Sequence, residues 1–318
     1  MSHGGKALLT VLAFAAIFGL RPEAKTGTGD DSESGYLFAY FQQGRASMGD
    51  GLHLAWSKDG LDWKKLNRGR IYFKPGQGMF RDPFILQGPD GTFHLTWTSS
   101  RKSIGYANSR DLKNWTGEKY LPVMEPEPGA LNCWAPEMFY DADKKIFLIF
   151  WSTTIPGRFP ATDSAGDSKY NHRIYYTATT DFETFSPAKL FFDPGFNCID
   201  ATLIKAGEEY FLFLKNETLK PARKYIVSAQ AQNPEGPFGP VSGPITPGWS
   251  EGPSLIRIGE QWFLYYDLYA KKNYGLSVSR DLKQWQDLSG KLKMPRGARH
   301  GCVFKVPRRI LLDLSHAQ

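Results

Sequence analysis

Four acids and one histidine stand at the heads of five apolar, strand-like runs, roughly 50–60 residues apart along the chain. They are Asp82, Glu137, Asp200, Glu251 and His300. Proline, glycine or another small residue stands beside each head and restricts the backbone, so the side chain is aimed. Two carboxyl groups across a sugar ring can break a glycosidic bond, because one protonates the leaving oxygen while the other activates water or attacks. That chemistry requires the heads to meet at one place.

The segments around the heads repeat, and the repeat indicates what could bring the heads together. Each of the four acidic heads is followed by a short apolar strand, a Gly- or Asp-containing turn and a second aromatic-rich strand. The turn at Pro89-Asp90-Gly91 is a strong hairpin signal. A related segment that ends in an aromatic closes each unit: Ser57 to Trp63, Ser109 to Trp115, Thr180 to Phe185, Asn233 to Phe238 and Ser279 to Trp285. We therefore predict five similar units of three or four strands.

The series of heads and the series of closing segments start at different points in the chain, and this offset predicts how the ring of units is closed. The first closing segment precedes the first head, whereas His300 follows the last closing segment. Residues 36–41 and 52–57 would then share a blade with residues 302–306, which leaves only short, protected edges. We predict an all-β fold, a single five-bladed β-propeller, over a β-sandwich with chance repeats.

In a propeller the innermost strands line a central channel, so the five heads would cluster at one mouth. Carboxylates that repel one another persist where they share protons, hydrogen bonds or a cation, which points to a functional site. The longest irregular insert, residues 155–170, is expected on the same face, where it could shape a pocket.

Composition bounds the class of protein. The 318 residues are 41% hydrophobic and 22% charged, as in globular proteins, and the aromatic content of 14% is high. The net charge is +7, but the basic residues are scattered and no nucleic-acid motif is present, which favours simple solvation over an acidic polymer partner. Cys133, Cys198 and Cys302 read as small buried residues, with a Cys133–Cys198 disulfide left open, and their spacing matches no metal site.

The N-terminal segment is typical of a secretory signal, because Lys6 precedes an apolar stretch too short to cross a bilayer. The predicted organisation is a signal peptide at 1–25, a flexible leader at 26–34, the propeller at 35–310 and a tail at 311–318. We expect a secreted or periplasmic protein without a transmembrane span. An uncleaved N-terminal anchor is the alternative.

Five motifs in order carry a family resemblance: Asp-Pro at 82, Trp-Ala-Pro-Glu at 134, Ile-Asp at 199, Glu-Gly-Pro at 251 and Arg-His-Gly at 299. Together they resemble glycoside hydrolase family 43 over residues 36–307. The resemblance implies that Asp82 is the general base, Glu251 the general acid, and Asp200 the group that raises the pKa of the acid and orients it. It also implies inversion at the anomeric carbon.

The resemblance extends to further residues and leaves alternatives at each. Arg81 and Arg299 would bond sugar hydroxyls or neutralise the acids. Trp134 would stack on a sugar or pack in the core. Glu137, where many family members have aspartate, would contact substrate or bond structurally, and Asp200-Ala201 lacks the usual proline. His300 would hold a central cation or be a buried histidine; no cofactor is required, although a structural Ca²⁺ in the central channel could bind there.

The leading function is hydrolysis of furanosyl or pentosyl residues, as by α-L-arabinofuranosidases, β-xylosidases or β-galactofuranosidases, on a polysaccharide or oligosaccharide. A fructan- or sucrose-type hydrolase is an alternative, but its Asn-Asp-Pro-Asn-like and Glu-Cys motifs do not occur. A non-catalytic carbohydrate-binding propeller is a second alternative, and a protein-interaction propeller is the weakest. No stable protein partner is expected.

Overall fold

Five antiparallel sheets contain nearly all of the regular secondary structure of the residues that the structure describes, namely Met1 and residues 34–44, 48–99 and 102–315 of a computed structural model. The predicted signal peptide and nearly all of the predicted leader lie outside these residues. The strands are β1 (Ser34–Gln42), β2 (His53–Ser57), β3 (Lys64–Lys65), β4 (Arg81–Gln87), β5 (Phe93–Thr98), β6 (Ile104–Ser109), β7 (Trp115–Leu121), β8 (Trp134–Asp141), β9 (Ile146–Thr153), β10 (Arg173–Thr179), β11 (Lys189–Phe192), β12 (Cys198–Ala206), β13 (Glu209–Asn216), β14 (Tyr225–Ala231), β15 (Glu251–Ile258), β16 (Gln261–Leu268), β17 (Asn273–Ser279), β18 (Gln286–Asp287) and β19 (Ala298–Pro307). Short 3-10 helices lie at Asn67–Gly69, Pro160–Ala165 and Ser289–Lys291.

The sheets are the blades of a propeller, and the strand order shows how the ring closes. Four blades are consecutive hairpins, β4–β7, β8–β11, β12–β14 and β15–β18, whereas the fifth has the order β19-β1-β2-β3. The last strand therefore pairs with the first, with Cys302 opposite Ala39. Innermost strands contact their neighbours in the ring order β4, β8, β12, β15, β19. The prediction of a five-bladed propeller closed by both chain ends is confirmed.

Apolar side chains fill the spaces between adjacent blades. Each of five buried clusters joins two neighbouring blades; Trp97 of β5 and Trp151 of β9, for example, are almost fully buried. Burying such aromatic surface stabilises the fold by about 25 cal/mol per Å². Because every blade packs on two others, the ring holds the innermost strands in fixed relative positions.

Four of the five repeated closing segments are turns with one hydrogen-bond pattern. The Ser57 hydroxyl accepts from the Gly60 amide at 2.9 Å, and the Asp59 carboxylate accepts from the Leu61 amide at 2.8 Å. Trp63 donates its indole N–H to the Gly60 carbonyl. The hydroxyl oxygens of Ser109, Thr179 and Ser279 each accept a hydrogen bond from the backbone amide three residues later in the same way. These serine and aspartate side chains favour turns because they bond nearby backbone groups.

The C-terminal tail contains an element that the sequence pattern did not predict. Residues Arg308–Ser315 form helix α1, and Ile310 and Leu314 on one face are buried against the β4–β7 blade and the closing blade.

The three cysteines are buried, as predicted. Cys133, Cys198 and Cys302 are free thiols, so no disulfide joins Cys133 to Cys198. In the part of the chain that the structure describes, no helix has the length and apolarity needed to cross a membrane.

Closure of the ring depends on a close approach at Gly301. A Cβ atom there would lie 2.0 Å from the carbonyl oxygen of Ala39 on the paired strand. We expect Gly301→Ala to destabilise the protein by about 1–3 kcal/mol, because backbone must move to relieve the clash. Thermal unfolding of the purified protein measures the effect. Gly243→Ala is the matched control, since no atom lies within 4 Å of its added Cβ; equal melting temperatures for both variants would contradict the prediction.

Candidate active site

The innermost strands of all five blades carry a β-bulge at the same place. In β4, Arg81 pairs with Thr98 and Phe84 with Thr96, so that two residues oppose one. The same shift occurs in β8, β12, β15 and, against β1, in β19. The first of the two unpaired residues has a left-handed φ in four blades: Asp82 (51°), Ala135 (46°), Asp200 (56°) and Gly252 (58°). Few residues other than glycine adopt this conformation, and aspartate is among those that do so more readily.

This shared register corrects the assumption that the five heads are equivalent. Asp82, Asp200 and His300 are each the first of the two unpaired residues, but Glu251 is the paired residue just before the two unpaired ones, as Arg81 and Arg299 are in their own blades. Glu137 is the paired residue just after the two unpaired residues of its own blade, Ala135 and Pro136. A bulge interrupts the regular alternation of side chains along a strand, so heads at different offsets from it need not point the same way.

The mouth contains a cavity of about 210 Å³. It is lined by Met79, Arg81, Asp82, Thr98, Trp134, Ile199, Asp200, Lys215, Glu217, Glu251 and His300. The wall thus brings together three of the four predicted acids, the histidine, the tryptophan and one of the two arginines. A cavity of this size suits a single sugar ring with its hydroxyl groups.

Asp82 is held by one side-chain hydrogen bond that links two blades. The Thr98 hydroxyl donates to Asp82 Oδ2 at 2.8 Å, and the same hydroxyl accepts the Ala135 amide at 2.8 Å. On its other oxygen, Asp82 Oδ1 lies 3.5 Å from His300 Nδ1. The carboxylate is therefore oriented and partly exposed, as a base that must reach a water molecule has to be.

Asp200 lies deeper and is bonded to the backbone next to Glu251. Its Oδ2 accepts the Gly252 amide at 3.1 Å and lies 3.9 Å from His300 Nδ1. Burial raises the pKa of Asp200 to about 6; the His300 charge opposes this rise and the Glu251 charge adds to it. The Asp200 carboxyl can therefore hold a proton in mildly acidic solution.

Glu251 is flanked by two cations. Lys215 Nζ lies 3.2 Å from Glu251 Oε2, and Arg299 Nη2 lies 3.3 Å from Oε1. Burial alone would raise the pKa of Glu251, but Lys215, His300 and Arg299 together lower it. The free site therefore stabilises the carboxylate that remains once Glu251 has given its proton away.

Lys215 and Asp267 are site residues that the sequence reasoning missed. Lys215 pairs with Ile199 in the ladder, and Asp267 with Glu251, so each lies on the second strand opposite a bulge. Thr98 and Ser152 occupy the same position in two other blades. The signal was a polar residue directly after an apolar run, as in Leu214-Lys215 and Tyr266-Asp267.

Glu137 does not line the cavity, which corrects its prediction as a substrate contact. Its side chain is 6% exposed, and burial raises its pKa well above the usual range, opposed by a hydrogen bond from Thr202 and increased by the charge of Asp200. A neutral carboxyl group behind Asp200 is consistent with the structural alternative.

The remaining predicted residues divide between the cavity and its rim. Arg81 reaches the cavity with its guanidinium 5.4 Å from the Phe41 ring, and its buried Nε has no hydrogen-bond partner among the described atoms. Trp134 contacts the ring of Tyr170, the last residue of the 155–170 insert, at 4.6 Å between centroids. Arg299 does not line the cavity; its Nε donates to Asp267 at 2.7 Å behind Glu251.

The described side chains do not fit a calcium ion held through His300. No group of three or more His, Cys, Asp or Glu residues in the described ranges is placed to hold a metal. The His300 imidazole faces Asp82 and Asp200, whereas Ca²⁺ takes six to eight oxygen ligands. The Ca²⁺ ion implied by the resemblance stays a prediction and enters no step below.

Comparison with known proteins places this geometry among glycoside-processing enzymes. Residues 31–309 match the family described as "Probable glycosyl hydrolase domain", which is related to glycoside hydrolase family 43. An α-L-arabinofuranosidase of Bifidobacterium longum subsp. longum is 27% identical over 232 residues, 63% of this chain and 21% of that protein. The chain thus spans about a fifth of the length of this curated relative.

Solved structures share the fold. A thermostable family-43 glycoside hydrolase superposes with a TM-score of 0.53 at 18% identity, covering 68% of this chain and 73% of that one. The α-L-arabinofuranosidase of Lactobacillus brevis gives 0.51 at 17% identity, with 66% and 72% covered. A family-43 β-1,3-galactosidase gives 0.50 at 12% identity, with 73% and 79% covered.

Proposed function

Because the chain belongs to the glycosyl hydrolases related to glycoside hydrolase family 43, we propose that it is an inverting glycosidase that removes furanosyl or pentosyl residues from polysaccharides or oligosaccharides. The observation that carries the proposal is the meeting of Asp82, Asp200 and Glu251 in the wall of one sugar-sized cavity. Acids from three different blades repel one another in a shared cavity, and such clusters are typical of functional sites.

The roles follow from the surroundings of each acid. Asp82, oriented by Thr98, accepts a proton from the attacking water, whose oxygen bonds to the anomeric carbon. Glu251 donates a proton to the glycosidic oxygen as the C–O bond breaks, and the configuration at the anomeric carbon inverts. Asp200 accepts the Gly252 amide and so orients the start of the strand that carries Glu251.

Two cavity residues are suited to binding the sugar. Arg81 lines the cavity, and its guanidinium group is suited to donate hydrogen bonds to sugar hydroxyls. Trp134 is half-buried in the wall and held by Tyr170, which gives a rigid apolar surface for a sugar ring. The names of the Bifidobacterium and Lactobacillus relatives favour an arabinofuranoside as the first substrate to test.

Hydrolysis of an aryl-glycoside panel tests the proposal. We expect activity on one of the arabinofuranoside, xyloside and galactofuranoside, with the first-formed sugar of inverted configuration by proton NMR. A galactopyranoside is included because a structural neighbour is a β-1,3-galactosidase. Retention of configuration would overturn the inverting mechanism. A folded protein that binds oligosaccharides but hydrolyses none of the panel or its polymers would favour the non-catalytic carbohydrate-binding propeller.

We also propose that the protein is exported, on the basis of the signal-like residues 1–25. Mass spectrometry of the protein recovered from its native host would show loss of this segment. Full-length protein confined to the cytoplasm would contradict export.

A further inference from the structure

A row of alternating charges runs from the 155–170 insert to Glu251. Asp167 Oδ2 lies 2.7 Å from Lys224 Nζ, which lies 2.6 Å from Glu217 Oε1. Glu217 Oε2 lies 2.7 Å from Lys215 Nζ, which lies 3.2 Å from Glu251 Oε2. The row crosses from the insert through the segment after β13 to the head of β15.

The row is largely buried, so its members depend on one another. The side chains of Lys215 and Lys224 are each 2% exposed, and that of Glu217 is 11% exposed. The Lys215 ammonium also lies 4.5 Å from the centre of the Tyr269 ring. A buried charge left without its partner is strongly destabilised, so each lysine is fixed by the two carboxylates beside it.

We propose that Lys215 is a positioning residue for proton donation by Glu251, and that Glu217, Lys224 and Asp167 hold it in place. This inference rests on the proposed function, because it concerns the same acid. When the Glu251 proton passes to the glycosidic oxygen and the C–O bond breaks, a carboxylate is left next to Lys215. The ammonium stabilises that carboxylate and keeps its own proton throughout.

The charge state of Lys215 supports this role. Burial lowers the pKa of Lys215, but the Glu251 and Glu217 carboxylates raise it above its ordinary value. The ammonium group is therefore charged across the whole range in which a glycosidase is assayed. Lys215 acts as a fixed positive charge and not as a proton donor.

The other charged groups around Glu251 set the background against which Lys215 acts. From β19, Arg299 contacts Glu251 but also donates to Asp267 of β16. The Asp200 carboxyl group of β12 and the His300 imidazole of β19 also act on the charge of Glu251. Variants of Lys215 and its neighbour leave these groups in place, so differences in pH profile report the charge that was changed.

The test measures kcat/KM against pH for Lys215→Met. Activity falls with rising pH as Glu251 loses its proton, and Lys215 holds the pKa of Glu251 down. Removing the ammonium should therefore move the alkaline limb to higher pH by about 1–3 units, the range for an opposite charge this close. We also expect kcat to fall at least about tenfold on poor leaving groups, with a smaller loss on dinitrophenyl glycosides, which need little protonation.

A second variant should move the limb in the opposite direction. Glu217→Gln removes the carboxylate that shares Lys215, so Glu251 faces a more positive surrounding and the alkaline limb should move to lower pH. Lys215→Arg keeps the charge and should keep the limb near its original position. Lys205→Met is the matched control, because Lys205 also lies over a tyrosine ring, that of Tyr210, but near the other end of β12.

Several outcomes would overturn the inference. These are an unchanged alkaline limb in both Lys215→Met and Glu217→Gln, shifts of the two in the same direction, or a loss of kcat independent of leaving group. If wild type is active and Glu251→Gln is not, any of these results removes the role of Lys215 and leaves the proposed function standing. Inactivity of folded wild type on every glycoside and polymer removes the proposed function itself.

Discussion

Replacing Glu251 by glutamine is expected to lower kcat/KM on glycosides with poor leaving groups by about 10²–10⁴-fold, the usual contribution of a general acid. Glutamine keeps the size of the side chain but has no proton to give to the glycosidic oxygen. A leaving group that departs as a stable anion needs no such proton. The loss should therefore shrink on dinitrophenyl glycosides, and a plot of log kcat against leaving-group pKa should become steeper than for wild type.

The control for this substitution lies on the same hairpin. Glu260 is exposed in the turn between β15 and β16, at the far end from Glu251, and Glu260→Gln should match wild type in both rate and melting temperature. An equal loss on all leaving groups would show that Glu251 is needed for binding or folding and would contradict its role as acid.

Replacing Asp82 by asparagine is expected to lower kcat by about 10²–10⁴-fold on every substrate in the panel, whatever the leaving group. The attacking water must lose a proton in each case, and asparagine cannot accept it. Because the Thr98 hydroxyl can still donate to the amide oxygen, the side chain should keep its place and KM should change little. Steady-state kinetics on one good and one poor leaving group measure both effects.

Asp90→Asn provides the comparison for Asp82, since Asp90 lies in the turn at the other end of the β4–β5 hairpin. It should retain wild-type kcat. A dependence of the Asp82→Asn loss on leaving group, resembling that of Glu251→Gln, would mean that the acid and base assignments are wrong.

The propeller could be predicted from the sequence because its signals are local and repeated. Apolar strands, hairpin turns and the serine- and aspartate-stabilised closing turns each recur within their own blade. Closure by β1 and β19 followed from a simple offset between two series of motifs. Helix α1 lacked such a signal, because its apolar face is short and is stabilised mainly by packing on the closed ring.

The site was predicted less completely, and the bulge explains why. Whether an acid points into the mouth depends on its ladder position relative to the two unpaired residues, which sequence spacing does not reveal. Glu251 lies just before the two unpaired residues of its strand and lines the cavity. Glu137 lies just after the two unpaired residues of its strand and is buried. Lys215 was missed for another reason: it is a single lysine at the end of a strand, and its partners come from distant segments.

The repeated bulge also bears on how this scaffold could acquire new chemistry. In four blades the first unpaired residue has the same left-handed conformation, and two of these four residues carry no functional group, Ala135 and Gly252. Gly252 is closed to change, because an added Cβ would lie 2.5 Å from the His300 ring. Ala135 already has a side chain in the left-handed conformation, which aspartate or asparagine adopts more readily than alanine. The backbone of blade two is therefore suited to aspartate or asparagine at this position, but Ala135 is buried, so a polar side chain there would need hydrogen-bond partners to be tolerated.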